Sequence, residues 1–271
     1  MRAKNSAPIT FPSEAPLIPN PIRKVLLTLA ARQVRALLMG GQACVFYGAV
    51  EFSRDADILI LAETANLDRL ALALRDLAAS CIAVPPFQSD YLERGHGVHF
   101  RCAHPDAAQM RIDVMARLRG VEPFPVVWER RATIADRDET VYELLSLPDL
   151  VLSKKTQRDK DWPVIRRLLE ADYQARHAHA DETALHFWLR EMRTPELLLD
   201  LASQQAVLAR DLARARPLLT AALAGNFAGV AEGLQAEENH ERELDREYWR
   251  PLKMELIALR ADLARSKSPP A

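Results

Sequence analysis

The sequence predicts an α+β fold: a small mixed sheet flanked by helices, followed by an all-helical C-terminal part. Three observations predict it. Apolar stretches of strand length, alternating or continuous, fall before residue 163. Residues 164–265 carry almost no strand signal and one Gly-containing break, AGNFAGV, so they read as four or five helices. Ala and Leu dominate while Gly numbers only 9, which suits helix more than sheet. A length of 271 residues fits one large domain or two small ones.

The arm MRAKNSAPITFPSEAPLIPNP carries Pro8, Pro12, Pro16, Pro19 and Pro21 and no continuous apolar core. Residues 1–21 are therefore expected to be an extended Pro-rich arm, not a signal peptide. Residues 22–38 read as an amphipathic helix through Ile22, Leu26, Leu29, Val34 and Leu37. Gly40-Gly41 stops that element, and QACVFYGA opens a second helix. SRDADILILA is a strand whose continuous apolar tail predicts a central place in the sheet. NLDRLALALRDLAAS is a helix with Asn66 or Asp68 near its N-terminus. GVHFRC and MRIDVMARL flank the turn HPDAAQ as a hairpin. VVWERR and TVYELLSL read as short strand or loop pieces around a turn at ADRDE. Pro148 opens a helix, PDLVLSKKTQRDKDW, that Pro163 interrupts or restarts. The expected organisation is thus an α/β part over 22–163, a helical part over 164–265 and a disordered tail over 266–271.

Charge excludes some functions. Lys+Arg number 36 and Asp+Glu 37, for a net charge of −1, so no bulk positive field holds nucleic acid or an anionic membrane. No apolar run approaches the roughly 18 residues of a membrane span. Cys44, Cys81 and Cys102 are too few and scattered for a disulfide framework and form no C-x-x-C. Free, mostly buried thiols in a reducing cytoplasm are expected.

The chemistry concentrates in carboxylates. Alternate strand residues share a face, so Asp55 and Asp57 point the same way. Two such carboxylates repel unless a cation lies between them, and a hard ion such as Mg²⁺ prefers oxygen ligands. Asp113, in RIDVM, is a third carboxylate inside an apolar strand, where an unpaired charge costs several kcal/mol on the rough scale of buried ions. Gly40 and Gly41 let the backbone approach a phosphate, and Ser53 adds a hydroxyl. Metal ligands, a phosphate cradle and a third carboxylate to activate a hydroxyl are the equipment of phosphoryl or nucleotidyl transfer. Taken singly, a D-x-D or a Gly-Gly is more often an ordinary turn or surface feature.

Lys154 and Arg158 stand at i, i+4 of the expected helix, two cations that an anion would satisfy, with Asp161 or Asp159 as the structural alternative for Arg158. His99 alternates with Val98 and Phe100 and either lines the site or is a satisfied sheet histidine. His177 and His179 lack a third ligand at metal spacing. EENHERELDRE reads as a charged, solvated helix face.

The order of MGGQACVFYGAVEFSRDADILI, RIDVM and LPDLVLSKKTQRDKDWPVIRRLL resembles the nucleotidyltransferase superfamily of the polymerase-β type. It is most similar to the bacterial abortive-infection nucleotidyltransferase toxins of the AbiEii type and their uncharacterised relatives. The resemblance covers roughly residues 25–170 and implies a nucleotidyltransferase-like sheet. It implies Asp55, Asp57 and Asp113 as catalytic metal ligands for one or two Mg²⁺. Gly40, Gly41 and Ser53 would hold a nucleoside triphosphate such as ATP, with Lys154 and Arg158 contacting its phosphates. The acceptor would be a tRNA end, a protein hydroxyl or a small molecule, and an antitoxin protein would be a partner. Ala49, Val50 and Glu51 stand where many relatives carry an Arg, and Ala56 replaces the usual Ile or Val. Two alternatives are an aminoglycoside-type enzyme with an acidic acceptor pocket built on Glu237, Glu238 and Glu241, and a non-catalytic nucleotide-binding or partner-binding module.

Overall fold

A computed structural model describes residues 20–50, 52–135 and 140–267. Residues 1–19 of the expected arm, Glu51, residues 136–139, where a turn is expected, and the tail from Ser268 lie outside the described residues. The fold is α+β, with a seven-stranded mixed sheet and a helical C-terminal part.

Helix α1 (Asn20–Ala31) buries Ile22, Val25 and Leu29. It ends where Gln33 adopts φ 53°, with Gln33 N–H donating to Ala30 O and Val34 N–H to Leu29 O. The helix expected over 22–38 is therefore cut short, and Ala36–Met39 forms strand β1. ALLM has no local strand signature. Its neighbours decide: Leu38 pairs with Ile58 on one side and Leu144 on the other. Helix α2 (Gly40–Phe46) follows directly, and β2 (Asp55–Ile60) lies at the centre of the sheet, as its apolar tail predicts.

Helix α3 (Thr64–Asp76) has Glu63 at its N-cap, so neither Asn66 nor Asp68 caps it. Asn66, 2% exposed, instead ties strand ends together. Its amide donates to Arg35 O and Leu61 O and its carbonyl accepts from Arg35 N–H. Strand β3 (Ser80–Cys81) and helix α4 (Ser89–Arg94), unmarked in the sequence, precede the hairpin of β4 (Val98–Arg101) and β5 (Arg111–Met115). VVWERR is no strand piece: Phe124–Glu129 is helix α5, with Phe124 and Val127 buried. Strands β6 (Ala132–Ala135) and β7 (Val141–Leu144) pair antiparallel.

The sheet order is β3-β4-β5-β2-β1-β7-β6, with β2–β5 and β1–β7 parallel and the other pairs antiparallel. Ala56, Ile58, Ile60, Val98, Phe100, Ile112 and Val114 turn one face towards α1 and α3 and form the core. Strand alternation then sends Asp55, Asp57, His99, Arg111 and Asp113 to the opposite face.

Helix α6 (Leu147–Lys154) stops before Lys155, and α7 (Asp161–Arg176) begins six residues later with Pro163 in its first turn. The continuous helix expected over 148–162 does not exist. Helices α8 (Glu182–Glu191), α9 (Pro195–Gln204), α10 (Ala206–Leu212), α11 (Leu218–Leu223) and α12 (Phe227–Lys267) complete the chain. The break at AGNFAGV falls between α11 and α12, but short helices make the number after residue 160 larger than expected.

The chain divides into two compact units rather than at a single cut near residue 163. Of the described residues, one unit takes those up to Phe46, residues 52 to Ser153 and those from Tyr248; the other takes Tyr47–Val50 and Lys154–Glu247. The second unit has its own core of Ile165, Leu168, Leu169, Trp188, Leu189, Leu198, Leu201 and Leu219. Arg216, 5% exposed, knits it by donating to Leu189 O, Met192 O and both Glu237 oxygens.

Candidate functional site

The carboxylates are placed by register. Parallel pairing sets Asp57 beside Asp113 and Asp55 beside Arg111, while the hairpin sets His99 beside Asp113 and Arg101 beside Arg111. Side chains in register project to the same face, so Asp57, Asp113 and His99 form one row across β2, β5 and β4. Asp55, Arg111 and Arg101 form a second row alongside. The face that the alternation of D-A-D and I-D-V predicts for the aspartates is therefore shared by all three.

The glycines press on this row. Gly40 has φ +66°, and a Cβ there would stand 1.9 Å from Asp57 Oδ2 and 2.4 Å from its Cγ. A Cβ on Gly41 would stand 2.7 Å from Ser53 Oγ. Gly41 N–H points to Asp57 Oδ2 at 3.4 Å, and Ser53 Oγ donates to Asp55 O at 3.3 Å. The backbone of α2 thus touches the D-x-D strand only because residues 40 and 41 have no side chains.

Asp113 is held by two neighbours. Arg111 Nε donates to Asp113 Oδ1 at 2.7 Å, and His99 Nδ1 lies 2.8 Å from the same oxygen. Arg111 Nη2 is 3.1 Å from His99 Nδ1. His99 Nδ1 thus lies between the Asp113 carboxylate and the Arg111 guanidinium. Burial raises the affinity of Asp113 for its proton, but the bonds from His99 and Arg111 outweigh it and hold the carboxyl below the ordinary carboxylate range. Among the described residues, no group of three or more His, Cys, Asp or Glu side chains is spaced to hold a metal ion. Asp55 and Asp57 have the donor chemistry for a hard cation; the third carboxylate is drawn to Arg111.

Lys154 and Arg158 do not share a helix face, because α6 ends at Lys154. Asp161 serves both. Its Oδ1 is 3.6 Å from Lys154 Nζ, and its Oδ2 accepts from Arg158 Nε at 2.7 Å and from Thr156 Oγ1. Lys154, 11% exposed at its side chain, is buried beside an internal anion, not at an exposed edge. Lys155 is equally buried, with Nζ 2.8 Å from Glu191 and 3.7 Å from Glu241. The acidic pocket expected for an aminoglycoside is not assembled either. Glu237 pairs with Arg193 and Arg216, Glu238 with Arg242 and Glu241 with Lys155. Nor is EENHERELDRE wholly solvated: Asp245 is 2% exposed and accepts from the Gln157 backbone and side-chain amides.

Arg111 is the residue that sequence reasoning missed. The signal was available: R-I-D on a strand puts Arg111 and Asp113 on one face. Read as a search for carboxylates, the motif hid the cation beside them.

The chain is thus an α+β protein whose central strands carry a row of carboxylates on one face, backed by a glycine pair. Compared with known proteins, it matches no family model and no curated relative.

Proposed function

We propose that the chain is a Mg²⁺-dependent nucleotidyltransferase, with a nucleotidyltransferase-like catalytic sheet, that moves a nucleotide from a nucleoside triphosphate to an acceptor. The carrying observation is the Asp57–Asp113 register, with Asp55 on the same face and the Gly40–Gly41 backbone against Asp57. Asp55 and Asp57 would hold the cation, because a hard ion prefers carboxylate oxygens as ligands. When bound, Mg²⁺ neutralises phosphate charge and polarises the phosphoryl group. Gly41 N–H, now directed at Asp57 Oδ2, and Ser53 Oγ, now donating to Asp55 O, would have to turn to phosphate oxygens to hold them. Asp113, held below its ordinary range, is a poor proton acceptor; it suits orientation better than the activating role first assigned to it. Lys154 and Arg158 are both engaged by Asp161, and their proposed phosphate role rests on the resemblance alone.

The acceptor, whether a tRNA end, a protein or a small molecule, and a toxin role with a partner antitoxin rest on the resemblance alone. One observation favours a second reading, a nucleotide-binding module without transfer: the engagement of Asp113 by Arg111 and His99.

The test is incubation of the chain with each labelled nucleoside triphosphate, Mg²⁺ and cell extract, beside Asp57→Asn. Label on an acceptor with the parent chain and none with the variant is expected. The variant should melt within a few degrees of the parent, because asparagine keeps the size of Asp57 and an oxygen that can accept from Gly41 N–H. Metal-dependent triphosphate binding without labelled acceptor selects the second reading. Absence of binding eliminates both.

A further inference from the structure

We propose that the chain has a further ligand site, an apolar cavity beside Arg35 that takes a small organic acid by its carboxylate. The site is separate from the carboxylate row and does not rest on nucleotidyl transfer.

The cavity measures about 350 Å³ and lies between the end of α1, strands β1 and β7, and Trp128 of α5. That is within the range of small-molecule sites, roughly 300–1,000 Å³. Leu26, Leu29, Leu38, Ile58 and Trp128 give it a largely apolar wall. Leu38 and Ile58 are partners in register and Ile58 belongs to the core face, so the cavity lies on the side of the sheet opposite Asp57. Arg35 is the cation on this wall, and its place is fixed. Its N–H donates to Asn66 Oδ1 at 2.7 Å, and its carbonyl accepts from Asn66 Nδ2 at 3.1 Å. Its guanidinium rests on aromatic rings, with Cζ 4.9 Å from the centre of Trp128 and 5.8 Å from that of Phe124. Among the described residues that guanidinium forms no ion pair and no hydrogen bond. Glu143, the carboxylate among the lining residues, is already engaged: Arg131 Nε and Thr133 Oγ1 donate to its Oε2 at 2.7 and 2.9 Å. The wall is therefore left with one positive charge that has no counter-ion. A guanidinium stacked by its face keeps its N–H edge for a carboxylate, which it can hold by two parallel bonds. The apolar wall suits a hydrocarbon body, and the single charge suits a monoanion; a phosphate dianion would bring surplus charge against an apolar surface. The alternative is an arginine that merely packs on Trp128 and leaves its N–H groups to water.

Calorimetric titration of the full chain separates the two accounts. The probes are octanoate and phenylacetate, each beside its uncharged amide, octanamide and phenylacetamide. At least one of the acids should bind saturably, one per chain, and at least about tenfold more tightly than its amide, the scale of a lost charge-assisted contact. Arg35→Gln should bring that acid down to the affinity of the amide. Arg32→Gln is the control: Arg32 is an exposed neighbour that pairs with Asp76 and does not line the cavity. It should leave the affinity at the parent value. No saturable binding of either acid overturns the proposal. Equal affinity for acid and amide also overturns it, because the cavity would then bind by apolar burial alone. So does an equal loss in both arginine variants, which would mark a general field, or parent-like affinity in Arg35→Gln. The comparison of acid with amide needs no variant, so it decides the matter on the parent chain should Arg35→Gln not fold.

Discussion

At residue 40 the backbone and the site depend on the same missing atom. Gly40 combines a left-handed φ of +66° with a Cβ position 1.9 Å from Asp57 Oδ2. Gly48 has a similar φ of +74° with nothing within 4 Å of its Cβ position. The pair separates backbone strain from collision. Gly48→Ala should cost about 1 kcal/mol, the scale of a non-glycine residue in the left-handed region. Gly40→Ala should cost about 3 kcal/mol or more, because Asp57 must also move. Urea denaturation of the two variants checks this, and equal costs would show that Asp57 yields freely. The same close approach explains why a bare Gly-Gly is so weak in sequence: its meaning lies in the strand it touches.

At the scale of elements, the passage from α6 to α7 gives two adjacent lysines different partners. If Lys154 is removed, Asp161 keeps Arg158 and Thr156, so Lys154→Ala should cost about 1 kcal/mol. If Lys155 is removed, Glu191, 15% exposed at its side chain, loses its cation at 2.8 Å. Breaking a buried pair from one side is expensive, so Lys155→Ala should cost about 3 kcal/mol. Chemical denaturation ranks them, and a larger loss for Lys154 would contradict the pairing. K-K-T-Q-R-D-K-D is legible as a charge run but not as a break. The i, i+4 spacing of Lys154 and Arg158 suggests a helix, and only the neighbours of Asp161 show where the helix stops. β1 fails in the same way. A strand of Ala, Leu, Leu and Met is specified by partners on both sides, whereas DADILI and RIDVM declare themselves by alternation and by β-branched residues.

For the molecule as a whole, pH tests the core directly. Cys102, 1% exposed, has its thiol pushed up to about 11 by burial. In the unfolded chain a thiol ionises near about 8.5. Between these values the folded state holds the proton that the unfolded state has lost, so stability is full below about 8.5 and falls as pH rises towards about 11. Urea midpoints measured across this window should fall more for the parent than for Cys102→Ala. A common slope would mean that Cys102 ionises freely in the fold. Exposed Cys81 should take an alkylating reagent in the native protein, while buried Cys44 and Cys102 react only on unfolding.

The sequence by itself determined the α+β class, the central D-x-D strand, the hairpin and the helical C-terminal part, because these rest on local periodicity. It also determined that Asp55 and Asp57 share a face, and that Asp113 needed a partner to sit in an apolar strand. Tertiary structure alone decided who that partner is. Strand register set Asp113 beside Asp57 and His99, and it set Arg111 beside Asp55. Register joins residues dozens of positions apart, and no local pattern encodes it. For the same reason Lys154, expected at a triphosphate, and Glu237, expected in an acidic pocket or on a solvated helix face, are found in ion pairs within the fold. A charge run gives residue types and spacing; burial and the choice of counter-ion are properties of packed neighbours.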